Sequence, residues 1–199
     1  MLFKSIQVRR WLLQTAATGC QMRIYAFQVR TGMENRFISM ARKREPGMSG
    51  ALVWPRRRLR IRRRGEWTDA LAPLFPGYLF LRTDRLDDRI GSLFRSLSGF
   101  IRFLPANDRI LPLEERDQST LNHFLAFGEV VDKSVVTFDE NRRIRVVSGP
   151  LQGLEGRIVK ADRRKGRARV RLDIYADAFE IDLGFEILEG SPVPPAAAT

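Results

Sequence analysis

The 199-residue chain has one cysteine, Cys20, and one histidine, His123. A single thiol and a single imidazole cannot build a disulfide framework or a Cys/His zinc site. A reducing compartment fits this composition, and a cytoplasmic location is expected. No run of about 18 apolar residues exists, which excludes a conventional membrane-crossing helix. Nucleophilic catalysis lacks its parts too: His123 stands in a helical stretch with no cysteine near it, and no serine has an evident base. The glycines of "GPLQGLEG", residues 149–156, miss the Lys-Ser/Thr ending of a phosphate-binding loop. No enzyme, cofactor or metal is expected, and His123 should be either satisfied or exposed.

Acids are also scarce, 23 against 35 Lys and Arg, which leaves a net charge of +12. Such an excess points to a polyanionic partner. No basic amphipathic helix of membrane-surface type stands out, so nucleic acid is favoured over membrane. The acid pairs Asp87 with Asp88 and Glu114 with Glu115 fall at expected helix starts, where the macrodipole explains them without acid–base chemistry.

Residues 1–21 combine basic residues with an apolar run interrupted by Gln14 and Thr15. They read as a start-site extension or disordered basic arm rather than a signal peptide. From Met22, "MRIYAFQVRTG" alternates as a strand, with Ile24, Ala26 and Gln28 on one face and Tyr25, Phe27 and Val29 on the other. Thr31 with Glu34 makes a capping box for a helix through Met33, Phe37, Met40 and Ala41 that ends at Pro46 and Gly47. "ALVWPRRRLRIRRRGEW" supplies a strand, with Gly65 as its turn, and "PLFPGYLFLR" another. A helix capped by Asp87 carries Ile90, Leu93, Phe94 and Leu97 on one face, and "GFIRFLP" is a further strand. Strand, helix, strand, strand, helix, strand is the ferredoxin-like order, in an α+β chain. A last helix is expected over residues 113–125 and a linker over residues 126–141. Over residues 142–190, "RRIRVVSGP", "EGRIVKADR", "RARVRLDIYA", "FEIDL" and "FEIL" predict a small five-stranded barrel. The Pro- and Ala-rich tail, residues 191–199, is expected to be disordered.

Arg56, Arg57, Arg58, Arg60, Arg62, Arg63 and Arg64 place seven positive charges in the ten residues 55–64 without one acid. That density favours phosphate; five such contacts would give a logarithmic salt slope of about −4.5. The alternative is a solvated, self-repelling hairpin edge that discourages aggregation. A second cluster of eight basic residues runs from Arg157 to Arg171 across the turn "DRRKGR", opposed only by Asp162. Charged hairpin tips also serve as solubilising surface, so its signal alone is weaker.

Tyr78 and Phe80 raise a choice between base stacking and protein binding. An RNA-recognition strand pattern is met by Gly77, Tyr78 and Phe80 but missed by Pro76, Leu79 and Thr83. Taken together, "IYAFQVRTGMENR", then "LFPGYLFLR", then "RVVSGPLQGLEGRIVKADRRKGRARV" resemble the NusG family of transcription elongation factors, over residues 22 to about 189. The resemblance implies a ferredoxin-like NGN domain over residues 22–125 tethered to an SH3-like KOW barrel. It implies a monomer that binds the β′ clamp coiled coil of RNA polymerase through Tyr25, Phe75, Pro76, Gly77 and Tyr78, with Phe80 in the core or bordering the pocket. Arg95 and Ser96 would lie near the non-template DNA strand, and the arginine hairpin would meet DNA or nascent RNA. Leu151, Leu154, Ile174 and Tyr175 would serve a barrel partner such as a small-subunit ribosomal protein or Rho. The chain has Ile174-Tyr175-Ala176-Asp177 where general members carry an "IFGR"-like loop. With the arginine hairpin, this looks closer to specialised antiterminators of the LoaP and RfaH-like groups. A KOW-containing RNA- or ribosome-binding module is the other expectation.

Overall fold

The computed structural model describes residues 22–48, 50–174 and 177–188, so the expected N-terminal arm and C-terminal tail lie outside the described residues. In chain order the elements are β1 (Arg23–Val29), α1 (Glu34–Arg44), β2 (Leu52–Val53), β3 (Arg56–Arg63), β4 (Glu66–Pro73), β5 (Tyr78–Thr83), α2 (Asp88–Ser96), β6 (Phe100–Phe103), α3 (Glu115–Leu125), β7 (Val130–Val131), β8 (Ser134–Phe138), β9 (Ile144–Ser148), β10 (Ile158–Asp162), β11 (Arg167–Ile174) and β12 (Asp177–Ile187). They form two compact units. The first takes the described residues up to Trp54 and those from Phe75 to Asn122; the second takes Pro55–Leu74 and the described residues from His123 onward. None of the described helices is long and apolar enough to cross a membrane.

The first unit is built on a four-stranded sheet of order β2-β5-β1-β6. Its pairings are antiparallel, as the ferredoxin-like arrangement requires. The β1 alternation sends Phe27 and Val29 toward the helices, where they join Phe37, Ile38 and Ala41 of α1 and Phe94 of α2. Phe27 sits at the centre of this cluster, 4.8 Å from the Phe94 ring and 5.4 Å from that of Phe37. Each fully buried phenylalanine contributes about 1.5–3 kcal/mol relative to exposure. Asp87 caps α2 as expected, its Oδ1 accepting from the Ile90 N–H at 2.7 Å. The capping box at α1 is corrected: Met33 occupies the cap position with no side-chain hydrogen bond, and the Glu34 carboxylate is committed elsewhere.

The second strand of this sheet also differs from expectation. Only Leu52–Val53 joins it, while Arg56–Arg63 pairs with Glu66–Pro73 as a separate hairpin in the second unit. Pro55 has no N–H to extend the ladder, and a strand bearing arginines on alternate positions cannot place them in an apolar sheet without large desolvation cost.

The second unit joins that hairpin to a five-stranded sheet of order β10-β11-β12-β8-β9, with β7 along the hairpin's β3 edge. Arg64 and Gly65 make the hairpin turn with φ of 50° and 90°, the geometry of a two-residue loop that follows strand twist. In β11, Ala168, Val170, Leu172 and Ile174 are buried while the intervening Arg169 and Arg171 face outward. Two expectations need correction. "FEIDL" and "FEIL" are one continuous strand, β12, and the fifth strand is β8, which lies inside the span expected to be linker. Gly184 does not interrupt β12 because it is held in the ladder opposite Arg167. The "SVVTF" of β8 alternates buried and half-buried side chains, a short period that the charges flanking it obscure.

Candidate binding surfaces

In the first unit, the turn of residues 75–78 is fixed from both sides. Gly77 has φ of 80°, and the Tyr78 N–H donates to the Phe75 carbonyl at 3.1 Å. The Gly77 N–H donates to Glu34 Oε1 at 2.8 Å, and its carbonyl accepts from the Val29 N–H at 2.8 Å. Glu34, only 2 % exposed, uses its other oxygen to accept from the Gly32 N–H at 2.8 Å. A Cβ at position 77 would lie 2.9 Å from Thr31 Oγ1 and 3.2 Å from the Val29 carbonyl oxygen, so only glycine fits. Thr31 and Glu34, expected to cap a helix, thus form the cradle of this turn.

The predicted clamp-contact residues do not share one surface. Tyr25 belongs to the helix-facing side of β1 and is buried, whereas Tyr78 stands opposite Gln28 on the other side of the sheet. Phe75 is 1 % exposed, its ring edge-on to Phe80 at 5.8 Å. Pro76 is exposed and Tyr78 half-buried. The Tyr78 hydroxyl accepts from Gln28 Nε2 at 2.6 Å, and Gln28 Oε1 accepts from Arg102 Nε at 2.7 Å. Pro76 and Tyr78 therefore form the accessible part of the set, while Phe75 is buried against Phe80 and Tyr25 is buried on the opposite face of the sheet. Pairing Tyr25 with Tyr78 overlooked strand parity: residues 25 and 28 fall on opposite faces of β1.

Arg95 and Ser96 end α2 and are both exposed. The Arg95 guanidinium lies over the Phe103 ring at 5.5 Å and donates to the Asn107 carbonyl at 3.2 Å. Ser96 Oγ donates to the Leu93 carbonyl at 2.7 Å and accepts from Arg44 Nη1 at 3.2 Å. Arg44 is thereby drawn to the same helix end, a contribution the sequence pattern did not single out.

The seven hairpin arginines, all in the second unit, have unequal roles. Arg56 and Arg58 are tied to Glu129 at 3.8 Å and Asp132 at 3.2 Å. Arg57 donates to the Leu74 carbonyl at 3.2 Å; burial pushes its pKa down to about 10, against a partial rescue by Asp182. Arg60 lies over Trp67 at 5.1 Å, and Arg62 donates to the Gly65 carbonyl at 2.9 Å. Arg63 and Arg64 are exposed at the tip. The hairpin is seated on β11 and β12: Arg167 Nη2 donates to the Arg60 carbonyl at 2.5 Å, and a Cβ at Gly184 would lie 2.8 Å from the Arg58 carbonyl oxygen. Lys133 bridges Asp69 of the hairpin and Glu186 of β12 at 2.9 and 3.0 Å. Burial draws the Lys133 pKa down, but the two carboxylates outweigh it and hold the ammonium above its ordinary value.

Of the predicted barrel-partner residues, Leu151, Leu154 and Ile174 are buried, and Tyr175 lies outside the described residues. The side chains of Leu151, Leu154 and Ile174 shape the unit from within instead of presenting contact area. His123 is satisfied: Nε2 donates to the Pro150 carbonyl at 2.8 Å, and its ring meets Phe124 and Phe127 edge-on. Among the described residues no group of three His, Cys, Asp or Glu side chains could hold a metal ion.

Comparison with known proteins places these surfaces in context. A family model described as transcription termination factor NusG matches residues 22–122. The transcription termination/antitermination protein NusG of Thermus thermophilus is 28% identical over 121 residues, covering 56% of this chain and 64% of that protein. The Pasteurella multocida protein of the same name is 22% identical over 178 residues, covering 86% and 97%. A solved structure concerned with domain interaction in Thermotoga maritima NusG aligns with a TM-score of 0.51 at 18% identity, covering 82% of this chain and 94% of that one. That likeness supports the α+β architecture, and the match to half the sequence, running through the cradled turn, shows that the chain belongs to the NusG family.

Proposed function

We propose that this protein is a transcription elongation factor that binds RNA polymerase through the residue 75–78 turn and promotes processive elongation or antitermination at selected operons. It acts by binding, in the cytoplasm, without a catalytic step. The observation that carries the reading is the cradle of Glu34, Thr31 and Val29 around Gly77, inside the region matched by the family model. A rigid turn presenting Pro76 and a half-buried tyrosine suits an aromatic anchor, since little side-chain entropy is lost on docking. The exposed helix end at Arg95 and Ser96 and the arginine hairpin would add DNA or nascent-RNA contacts. The loss of Gly and Arg from residues 174–177 favours a specialised member over a general one, with altered complementarity toward a ribosomal protein or Rho.

The test is binding of the full chain to core RNA polymerase. Tyr78→Ala, with Phe75 left in place because its burial makes truncation a folding lesion, is expected to weaken binding at least about tenfold. Polymerase binding that is absent in the wild type, together with ribosome co-sedimentation that does not depend on Tyr78, would support the RNA- or ribosome-module reading instead.

A further inference from the structure

The two basic clusters, separate in sequence, meet in the second unit around an open cleft of about 340 Å³ lined by Arg60, Lys133, Arg163, Gly166, Phe185 and Ile187, with Glu186 at its side. We infer that this cleft is a phosphodiester-binding subsite, in which the arginine hairpin and the turn of residues 163–166 hold one nucleic-acid strand jointly. The inference rests on the nucleic-acid part of the proposed function and assigns it a place.

Several cations around the cleft are already paired with acids. Lys133 is bound by Asp69 and Glu186, which also neutralises the one acid beside the cleft. Arg167 and Arg169 share Asp182 at 3.9 and 2.9 Å, Arg171 meets Glu180 at 3.1 Å, and Lys165 meets Asp162 at 3.7 Å. The smaller neighbouring cleft, about 80 Å³ and lined by Lys160, Asp162, Lys165, Arg167, Arg169 and Asp182, contains three of these committed cations and Lys160 along with both acids. Those three cations are paired with acids inside the cleft itself.

Arg60 and Arg163 differ: neither has an ion-pair partner among the described residues. The Arg163 guanidinium carbon lies over the Phe138 ring, 3.8 Å from its centroid, and its Nη2 is buried without a hydrogen-bond acceptor. A contact with the ring limits the motion of the guanidinium, and a phosphate reaching its edge would supply the acceptor that Nη2 lacks. Arg60 is oriented in turn by Trp67. Apolar surface from the exposed Ile187 completes a wall against which a sugar or base can rest, as in other single-strand grooves.

The experiment is a fluorescence-anisotropy titration of the full chain with short labelled single-stranded RNA and DNA oligonucleotides across a salt series, beside polymerase binding. Arg60→Gln and Arg163→Gln are each expected to weaken oligonucleotide binding about tenfold and to reduce the logarithmic salt slope by about 0.7. The double variant should lose less than the product of the two, because one phosphate couples them. Arg164→Gln, exposed and outside the cleft, should have a smaller effect. The RNA and DNA arms distinguish a transcript from a DNA strand; tighter binding of either by the wild type with Arg60 dependence supports the subsite. Equal behaviour of the Arg163 and Arg164 variants would overturn it, as would the same Arg60 dependence for an acidic polypeptide. Arg60→Gln keeps the test decisive if loss of the Phe138 contact unfolds the Arg163 variant. Polymerase binding without oligonucleotide binding overturns the subsite and leaves the polymerase reading standing; the converse does the reverse.

Discussion

The sharpest test of the cradled turn is Glu34→Gln, a change of one atom in a buried side chain. Glu34 accepts two backbone N–H groups, from Gly32 and Gly77, each at 2.8 Å. Hydrogen bonds to a charged group contribute about 1.5–3 kcal/mol each, and a buried donor left unsatisfied costs about 1–3 kcal/mol. Glutamine keeps one oxygen for one N–H and turns an NH₂ toward the other. Relief of the carboxylate's own desolvation offsets part of the loss. The net expectation is destabilisation of about 2 kcal/mol for Glu34→Gln and about 4 kcal/mol for Glu34→Ala, where both acceptors go. The assay is amide hydrogen exchange by NMR on the full chain. Protection at Gly77 should fall about 30-fold in the Gln variant, in step with the stability loss. Exchange at Gly32 and Gly77 as slow as in the wild type would refute the cradle, whatever happened to global stability.

The remaining predictions concern the second unit. Gly184→Ala forces a Cβ to within 2.8 Å of the Arg58 carbonyl and should cost about 1–3 kcal/mol, read as a lower urea midpoint; no change would show that the hairpin is not seated there. Lys133→Met removes the bridge between Asp69 and Glu186. Because the Lys133 pKa is raised in the fold, its contribution is fully present below its ordinary value of 10.5 and lost as pH rises through the folded value, so the difference from wild type should shrink above pH 10.5. Arg57 has the opposite sign, with its pKa lowered to about 10 mainly by burial. The unfolded chain binds the extra proton between that value and arginine's higher ordinary one, so wild-type stability gains over this window and the advantage of Arg57→Met at neutral pH should diminish; a Met variant less stable than wild type at neutral pH would contradict the burial cost.

Where a segment's periodicity and burial agreed, the chain could be read directly. The alternation of β1, the Phe94 face of α2 and the Asp87 cap are each decided by neighbours within a few residues, and all three stand in the structure. The failures involve distant partners. Nothing local marks Leu52–Val53 as the sheet strand in preference to the longer arginine segment; the choice is made by Pro55 and by the apolar layer of α1 and α2. Nothing local tells that Thr31 and Glu34 serve Gly77, more than 40 residues on, because a capping box and a turn cradle use the same residue types. At the candidate surfaces, residue type revealed the aromatic turn and the basic clusters. Side-chain parity and the acids that consume Arg167, Arg169 and Arg171 decide which members remain available, and that pairing is written in β12 rather than in the basic stretch itself.

The seating of the hairpin on β11 and β12 also sets a schedule for synthesis. Arg60 and Arg167, joined by a backbone-accepted hydrogen bond, are 107 positions apart. At about 5–20 residues per second, the ribosome delivers the hairpin several seconds before the strands that receive it. During that interval the surrounding residues can complete the β2-β5-β1-β6 sheet, while residues 55–74 wait as a looped-out basic segment with Leu59 uncovered. The last strand made, β12, is then the one that closes the second unit, so a nascent chain stalled before Gly184 would carry an intact aromatic turn but an unseated arginine hairpin.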